Sequence, residues 1–187
     1  MCVNIFWDNS NIMWVGRNFS TTIEPGHECD FRIHFSNLFQ FAADGRKVSY
    51  AFVAGSIPPK TDELWQHFNN LGITVETQER GAVNGKEVAV DDIIQKRMLE
   101  RILDVEPPET IVLLTGDGNG YFQGEGFIKQ LERAVAHHWQ IEVISWSIGC
   151  NRYLKAFATE KGTYRELDSV YNNVTFISSG RKALSLP

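Results

Sequence analysis

Cysteine is scarce: Cys2, Cys29 and Cys150 are the three in 187 residues, and none forms a C-x-x-C pair. An odd, scattered set excludes a disulfide framework and offers no zinc-ligand spacing, so a cytoplasmic setting is the expectation. Long apolar runs are missing too. No stretch approaches the roughly 20 residues that cross a bilayer, and the first run stops at Asp8 without the basic leader of a signal peptide. Excess positive charge is also absent. Lys and Arg number 18 against 23 Asp and Glu, a net charge of −5, which excludes gripping nucleic acid through bulk charge. Any such binding must be local.

What is present suits a globular domain: 43% hydrophobic residues, 12% aromatic and no low-complexity tract. The length supports one substantial core, and a single domain over residues 1–187 is expected. β-rich runs at Val3–Trp7, Val48–Val53, Ile73–Thr77, Thr110–Leu114, Ile141–Trp146 and Val174–Ile177 alternate with helix-period segments. These segments are Phe31–Ala43, Thr61–Asn70, Val90–Leu103, Glu125–His138 and Asn151–Ala158. The alternation predicts an α/β fold with a mainly parallel sheet covered by helices. In such sheets ligands bind beyond the carboxyl ends of the strands, and that rule directs attention to three acidic motifs.

Asp8 closes the first strand, and Asn9, Ser10 and Asn11 add further oxygen and amide groups. Oxygen donors suit hard cations such as Mg²⁺ or Mn²⁺, although the same residue types also cap turns. Asp117 follows the run Ile111–Leu114 within the turn Thr115-Gly116-Asp117-Gly118-Asn119-Gly120. Its glycines permit positive φ and close approach of backbone N–H groups to an anion, but their spacing fits neither a dinucleotide fingerprint nor a phosphate-binding P-loop. Asp91 and Asp92 open a helix whose stripe is Val90, Ile94, Met98 and Ile102. At about 100° per residue Asp91 lies on the flank of that stripe and Asp92 on the far side. The helix dipole alone also favours acids there.

Taken together, D-N-S-N after strand one, the Asp pair opening a helix, and T-G-D-G-N-G-Y-F after the fourth strand resemble the NYN domain family of the PIN-like nuclease group, from Val3 to about Ser178. The resemblance implies a PIN-like, Rossmann-like three-layer α/β/α sandwich. It also implies a metal-dependent endoribonuclease that hydrolyses RNA phosphodiester bonds with Mg²⁺ or Mn²⁺. Carried over by motif, Asp8 matches the family's first acid, Asn11 the paired Asn, Asp91 the helix-opening acid and Asp117 the acid of the glycine turn. Asp8, Asp91 and Asp117 are then the expected metal ligands, with Asn11 and Asn119 orienting water and phosphate.

Two departures weigh against a complete acid cage. Asn119 stands where the family has a second Asp, and Arg97 lies near the place of another acid. Less carboxylate charge weakens cation binding. The alternative is therefore a non-catalytic RNA-binding or protein-interaction module with a degenerate metal site, and a homo-oligomer or protein partner is left open. A phosphatase-like reading lacks the second Asp two residues after Asp8.

Substrate contacts are expected from Ser10, Arg17, Lys86, Gly116, Gly118 and Tyr121, with Arg80, Arg152 and Lys155 as further rim cations. Trp14, Tyr121 and Phe122 follow motif residues and suit stacking on unpaired bases, which makes single-stranded RNA the expected partner. Glu166 and Asp168 add carboxylates only if their segment folds over the site. Cys150 precedes a helix, a position that can lower a thiol pKa, but no His-Asp arrangement accompanies it.

Overall fold

Val3, Ile5 and Trp7 alternate with Phe6 along strand β1 (Cys2–Asp8), and all four are buried. A strand with apolar side chains on both faces must be covered on both. The computed structural model, which describes residues 2–57, 62–79 and 90–186, places β1 at the centre of a six-stranded sheet. Its neighbours are β3 (Lys47–Ile57) and β5 (Thr110–Leu114), followed outward by β4 (Thr74–Glu79) on one side and β6 (Gln140–Ser145) and β7 (Thr163–Glu166) on the other. Every pairing in this sheet is parallel.

The order β4-β3-β1-β5-β6-β7 makes the chain build outward from β1 in one direction, return, and build outward in the other. This is the doubly wound arrangement, whose crevice opens where the order reverses. Here the reversal falls between β1 and β5. One face packs on α1 (Asn9–Ile23), α2 (Phe35–Ala43) and α3 (Asp62–Asn70), around Trp7, Val53, Phe68, Leu114 and Trp146. The other packs on α4 (Val90–Asp104), α5 (Gly126–Ala136) and α6 (Arg152–Lys161), around Phe6, Ile94, Met98, Leu113 and Leu131. The expected three-layer α/β/α architecture is thus present.

Four elements differ from the sequence reading. The segment Phe31–Ala43 is not helical throughout: Phe31–Ile33 forms strand β2, which pairs antiparallel with β8 (Thr175–Ile177) in a small separate sheet. The last β-rich run therefore leaves the parallel sheet, because buried Phe31 and Ile33 pair it through Ile177 and Thr175 instead. The sixth parallel strand is β7, whose polar sequence T-Y-R-E suits an edge position. Helix α1 was not among the expected helices, although Ile12, Val15, Phe19 and Ile23 recur at helical spacing. It forms because Asp8 caps it and Gly16 packs under Trp146, where a Cβ would sit 2.8 Å from the indole nitrogen. That nitrogen donates to the Ile12 carbonyl at 2.9 Å.

Candidate functional site

Asp8 ends β1, and only 4% of it is exposed. One carboxylate oxygen accepts from the Asn11 backbone N–H at 3.0 Å, which caps α1. The other accepts from the Thr115 hydroxyl at 2.9 Å. Thr115, at the end of β5, also receives the Asp117 N–H at 3.2 Å. One threonine hydroxyl therefore joins the ends of both strands at the switch point. Asn11 adds a second tie, its side-chain oxygen accepting from the Gly116 N–H at 2.8 Å. Capping and cluster formation, which the sequence presented as competing readings of Asp8, occur together.

The turn after β5 is held from behind as well. The Asn151 N–H donates to the Gly116 carbonyl at 2.8 Å, and the Asn151 side chain caps α6 through the amides of Tyr153 and Leu154. A Cβ on Gly118 would stand 2.4 Å from the Asn151 side chain, and one on Gly116 would stand 2.6 Å from the Gly149 carbonyl. These two glycines are required by close packing. The Asp117 carboxylate then accepts the Asn119 N–H at 3.0 Å, closing the turn on itself.

Asp8, Ser10, Asn11, Trp14, Asp91 and Asp117 line one cleft of about 230 Å³. A second depression of about 170 Å³ shares Asp91 and Asp117 and continues to Asn119, Gly120 and Glu125. Three acids remote in sequence thus meet at the rim between β1 and β5. Asp91 is half-buried and Asp92 exposed, as the helical stripe predicts, yet Asp92 also lines the second depression. Among the described residues, no set of three Asp, Glu, His or Cys side chains is spaced to hold one metal ion as it stands.

The remaining expected residues are distributed unevenly. Ser10 lies in the cleft, whereas Asn9 turns away and lines a larger apolar cavity of about 560 Å³ across α1, with Met13, Phe35 and Phe176. Arg17 lies one turn beyond Trp14, its guanidinium 5.8 Å from the indole centroid. Tyr121 donates its hydroxyl to Glu132 at 2.9 Å, and its ring packs partly on the core. Lys86 and Arg80 lie outside the described residues. Arg97 pairs with Glu76 at 3.0 Å and Glu100 at 2.9 Å, and it lines neither depression.

Glu166 pairs with Lys155 at 2.6 Å. Asp168 receives the Ser147 N–H at 2.9 Å and its hydroxyl as well. Both acids brace the rim and are not among the residues lining the cleft. Burial pushes the Cys150 thiol above its ordinary pKa, so a reactive thiolate is not formed there. Two residues escaped the sequence reading. Thr115 carries no signal beyond its place in the turn, and Tyr153 meets Phe122 edge-on at 5.0 Å, a contact visible only after folding.

A doubly wound α/β domain with carboxylates gathered at its switch point is the class that fold and site define. Within that class, the chain belongs to the NYN domain family, which matches residues 2–176. NYN domains fall in the PIN-like nuclease group, and the chain has that ribonuclease-like fold. It is also similar to a protein of unknown function from Vibrio parahaemolyticus, known from its crystal structure. The two share 13% identity with a TM-score of 0.61, over 89% of this chain and 93% of that one. No curated protein matches the chain. Among the described residues no helix is long and apolar enough to cross a membrane.

Proposed function

We propose that this NYN domain is a metal-dependent endoribonuclease, with its site in the cleft between the ends of β1 and β5. The observation that carries this reading is the convergence of Asp8, Asp91 and Asp117 on that one cleft. The donors are chemically suited to Mg²⁺ or Mn²⁺: they are carboxylate, amide and hydroxyl oxygens, with no thiol or imidazole among the cleft residues. Asp8, Asp91 and Asp117 would hold the ion, with Asn11 and Asn119 beside them. When bound, such an ion supplies the Lewis-acid charge that phosphodiester hydrolysis requires.

The protein's own contribution is orientation. Thr115 and the Asn11 amide fix both oxygens of the Asp8 carboxylate, so it is aimed before any ligand arrives. Asn11 does not offer its side-chain oxygen freely, since Gly116 already donates to it. Its role in this reading is to hold the β5 turn at a set distance from α1. Asn119 lines the second depression without adding charge.

The test is cleavage of single-stranded RNA in Mn²⁺ by wild type, Asp8→Asn and Asp117→Asn, alongside calorimetric titration with Mn²⁺. The expected result is metal-dependent cleavage that falls by ~100-fold or more in each variant, at least the cost of losing a group that orients a metal ligand. Undiminished cleavage in both variants refutes the site. Absence of both heat and cleavage in wild type favours the binding module, the reading that Asn119 in place of an acid supports.

A further inference from the structure

The residues lining the trough fall into an order along its length. Trp14 stands at one end, sharing the cleft with Asp8 and Ser10 and a shallow groove with Arg17, Asn18 and Thr21. Asp91 and Asp117 occupy the middle, common to both depressions. Asn119 and Gly120 follow at the other end, and the chain then turns directly into the 3₁₀ turn Tyr121–Gln123.

Each end carries an exposed aromatic group with an arginine. Trp14 is 59% exposed, with Arg17 over its ring. At the far end Phe122 is 75% exposed and meets Tyr153 edge-on, while the Arg152 guanidinium sits 4.6 Å from the Tyr153 centroid and donates to its hydroxyl at 2.7 Å. Aromatic rings of this size are ordinarily buried. Here the core clusters pass them by: Trp14 lines the cleft itself, and Phe122 stands two residues after Gly120 of the second depression.

We propose that these two aromatic and arginine pairs are base-stacking subsites which hold a single strand across the trough, one on each side of the bond to be cut. This deepens the nuclease reading and rests on it for the position of that bond. A polyanion is not drawn to this chain by overall charge, which is −5. Stacking supplies attraction that does not depend on charge, and it requires bases that are not already stacked in a duplex. Arg17 and Arg152 then each face one backbone phosphate, so affinity depends weakly on salt. With two such contacts the slope of log K against log salt is about −1.4, from roughly 0.7 per phosphate on a single strand. A protein partner docking on the same rings would give no dependence of RNA binding on the presence of bases.

Fluorescence anisotropy of a labelled ten-nucleotide RNA without divalent metal tests it, since no cleavage then occurs. Trp14→Ala and Phe122→Ala are each expected to weaken binding about tenfold, with Trp14→Phe restoring most of the loss. A strand of equal length with abasic sites, or the same sequence as a duplex, should bind wild type no better than the weakened variants bind the intact strand. Equal binding of intact and abasic strands overturns the proposal, and so does a salt slope several times steeper than stated. The strand comparison needs no variant, so misfolding cannot obscure it. Because metal is omitted, loss of stacking leaves the carboxylate reading standing, and inactive carboxylates leave the stacking reading standing.

Discussion

The middle of the trough and its two ends are made of opposite materials. In the middle, Asp8, Thr115, Asn11 and Gly116 are tied to one another by hydrogen bonds across more than one hundred residues of sequence. At the ends, Trp14 and Phe122 are mostly exposed and Tyr153 about one-third exposed, placed by α1, the 3₁₀ turn and α6. A polar group that must act at a defined point needs its partners fixed in advance, because reorganising it during reaction costs energy. A stacking surface only needs a rigid ring and access. Chemistry and capture are thus built separately here, so they should fail separately.

The largest expected effect breaks the middle alone. Asp117→Asn should abolish most turnover in Mn²⁺ while leaving metal-free RNA affinity within about twofold, since no phosphate contact is removed. A parallel loss of affinity would mean that middle and ends are one unit. Next is Thr115→Val, which leaves a buried Asp8 oxygen and the Asp117 N–H without their hydroxyl partner. Steady-state kinetics should show kcat reduced on the order of tenfold or more, and Thr115→Ser should restore it.

Gly118→Ala tests the support of the turn from behind. Its new methyl group would fall 2.4 Å from the Asn151 side chain, so the turn or the α6 cap must shift. Thermal denaturation should show a loss of about 1–3 kcal/mol, with turnover lowered more than affinity. An unshifted midpoint would show that the close approach is not maintained in solution.

The smallest effect concerns the far end of α1, which carries Trp14. Glu24 follows that helix and accepts from Arg181 at 2.9 Å and from Tyr171 at 2.6 Å. The Arg181 hydrogen bond is the main cause that holds the Glu24 carboxyl below the ordinary value of 4.5. A lowered carboxylate pKa stabilises the fold fully above the ordinary value and loses that contribution as pH falls below it. Glu24→Gln should thus cost about 1 kcal/mol near neutrality, and the gap from wild type should close in urea titrations below pH 4.5. Tyr171 gives the opposite signature: burial, with Glu24 as acceptor, pushes its pKa up to about 12. Its contribution is intact below the ordinary value of 10 and fades as pH rises toward 12.

Much of the scaffold is legible in the sequence because strands buried on both faces write themselves as continuous apolar runs. The run Thr110–Leu114 coincides with β5, and Val90–Leu103 differs from α4 by a single residue. Helix α1 is harder to read, although Ile12, Val15, Phe19 and Ile23 keep helical spacing. Its interior holds Asn, Gly, Ser and Thr, which are indifferent helix formers, and its stability comes from Asp8 at one end and Trp146 beneath it. The strand β2 is hidden inside a helix-period pattern, because Phe31 satisfies either spacing until Ile177 is at hand.

For the site, Asp8, Asp91 and Asp117 are readable individually as acids at element ends, which is a local property of residue type and position. Their meeting is not local. It depends on β1 and β5 lying side by side at the reversal of strand order, a consequence of which crossovers the whole chain makes. By itself the sequence determined the layers, the polarity of the strands and the kinds of oxygen available at their ends, because periodicity and end chemistry are written residue by residue. Only tertiary structure decided that Thr115 joins two carboxylate-bearing loops, that Arg97 turns to Glu76, and that Phe122 rests against Tyr153. Those contacts link residues whose spacing in the chain carries no trace of their distance in space.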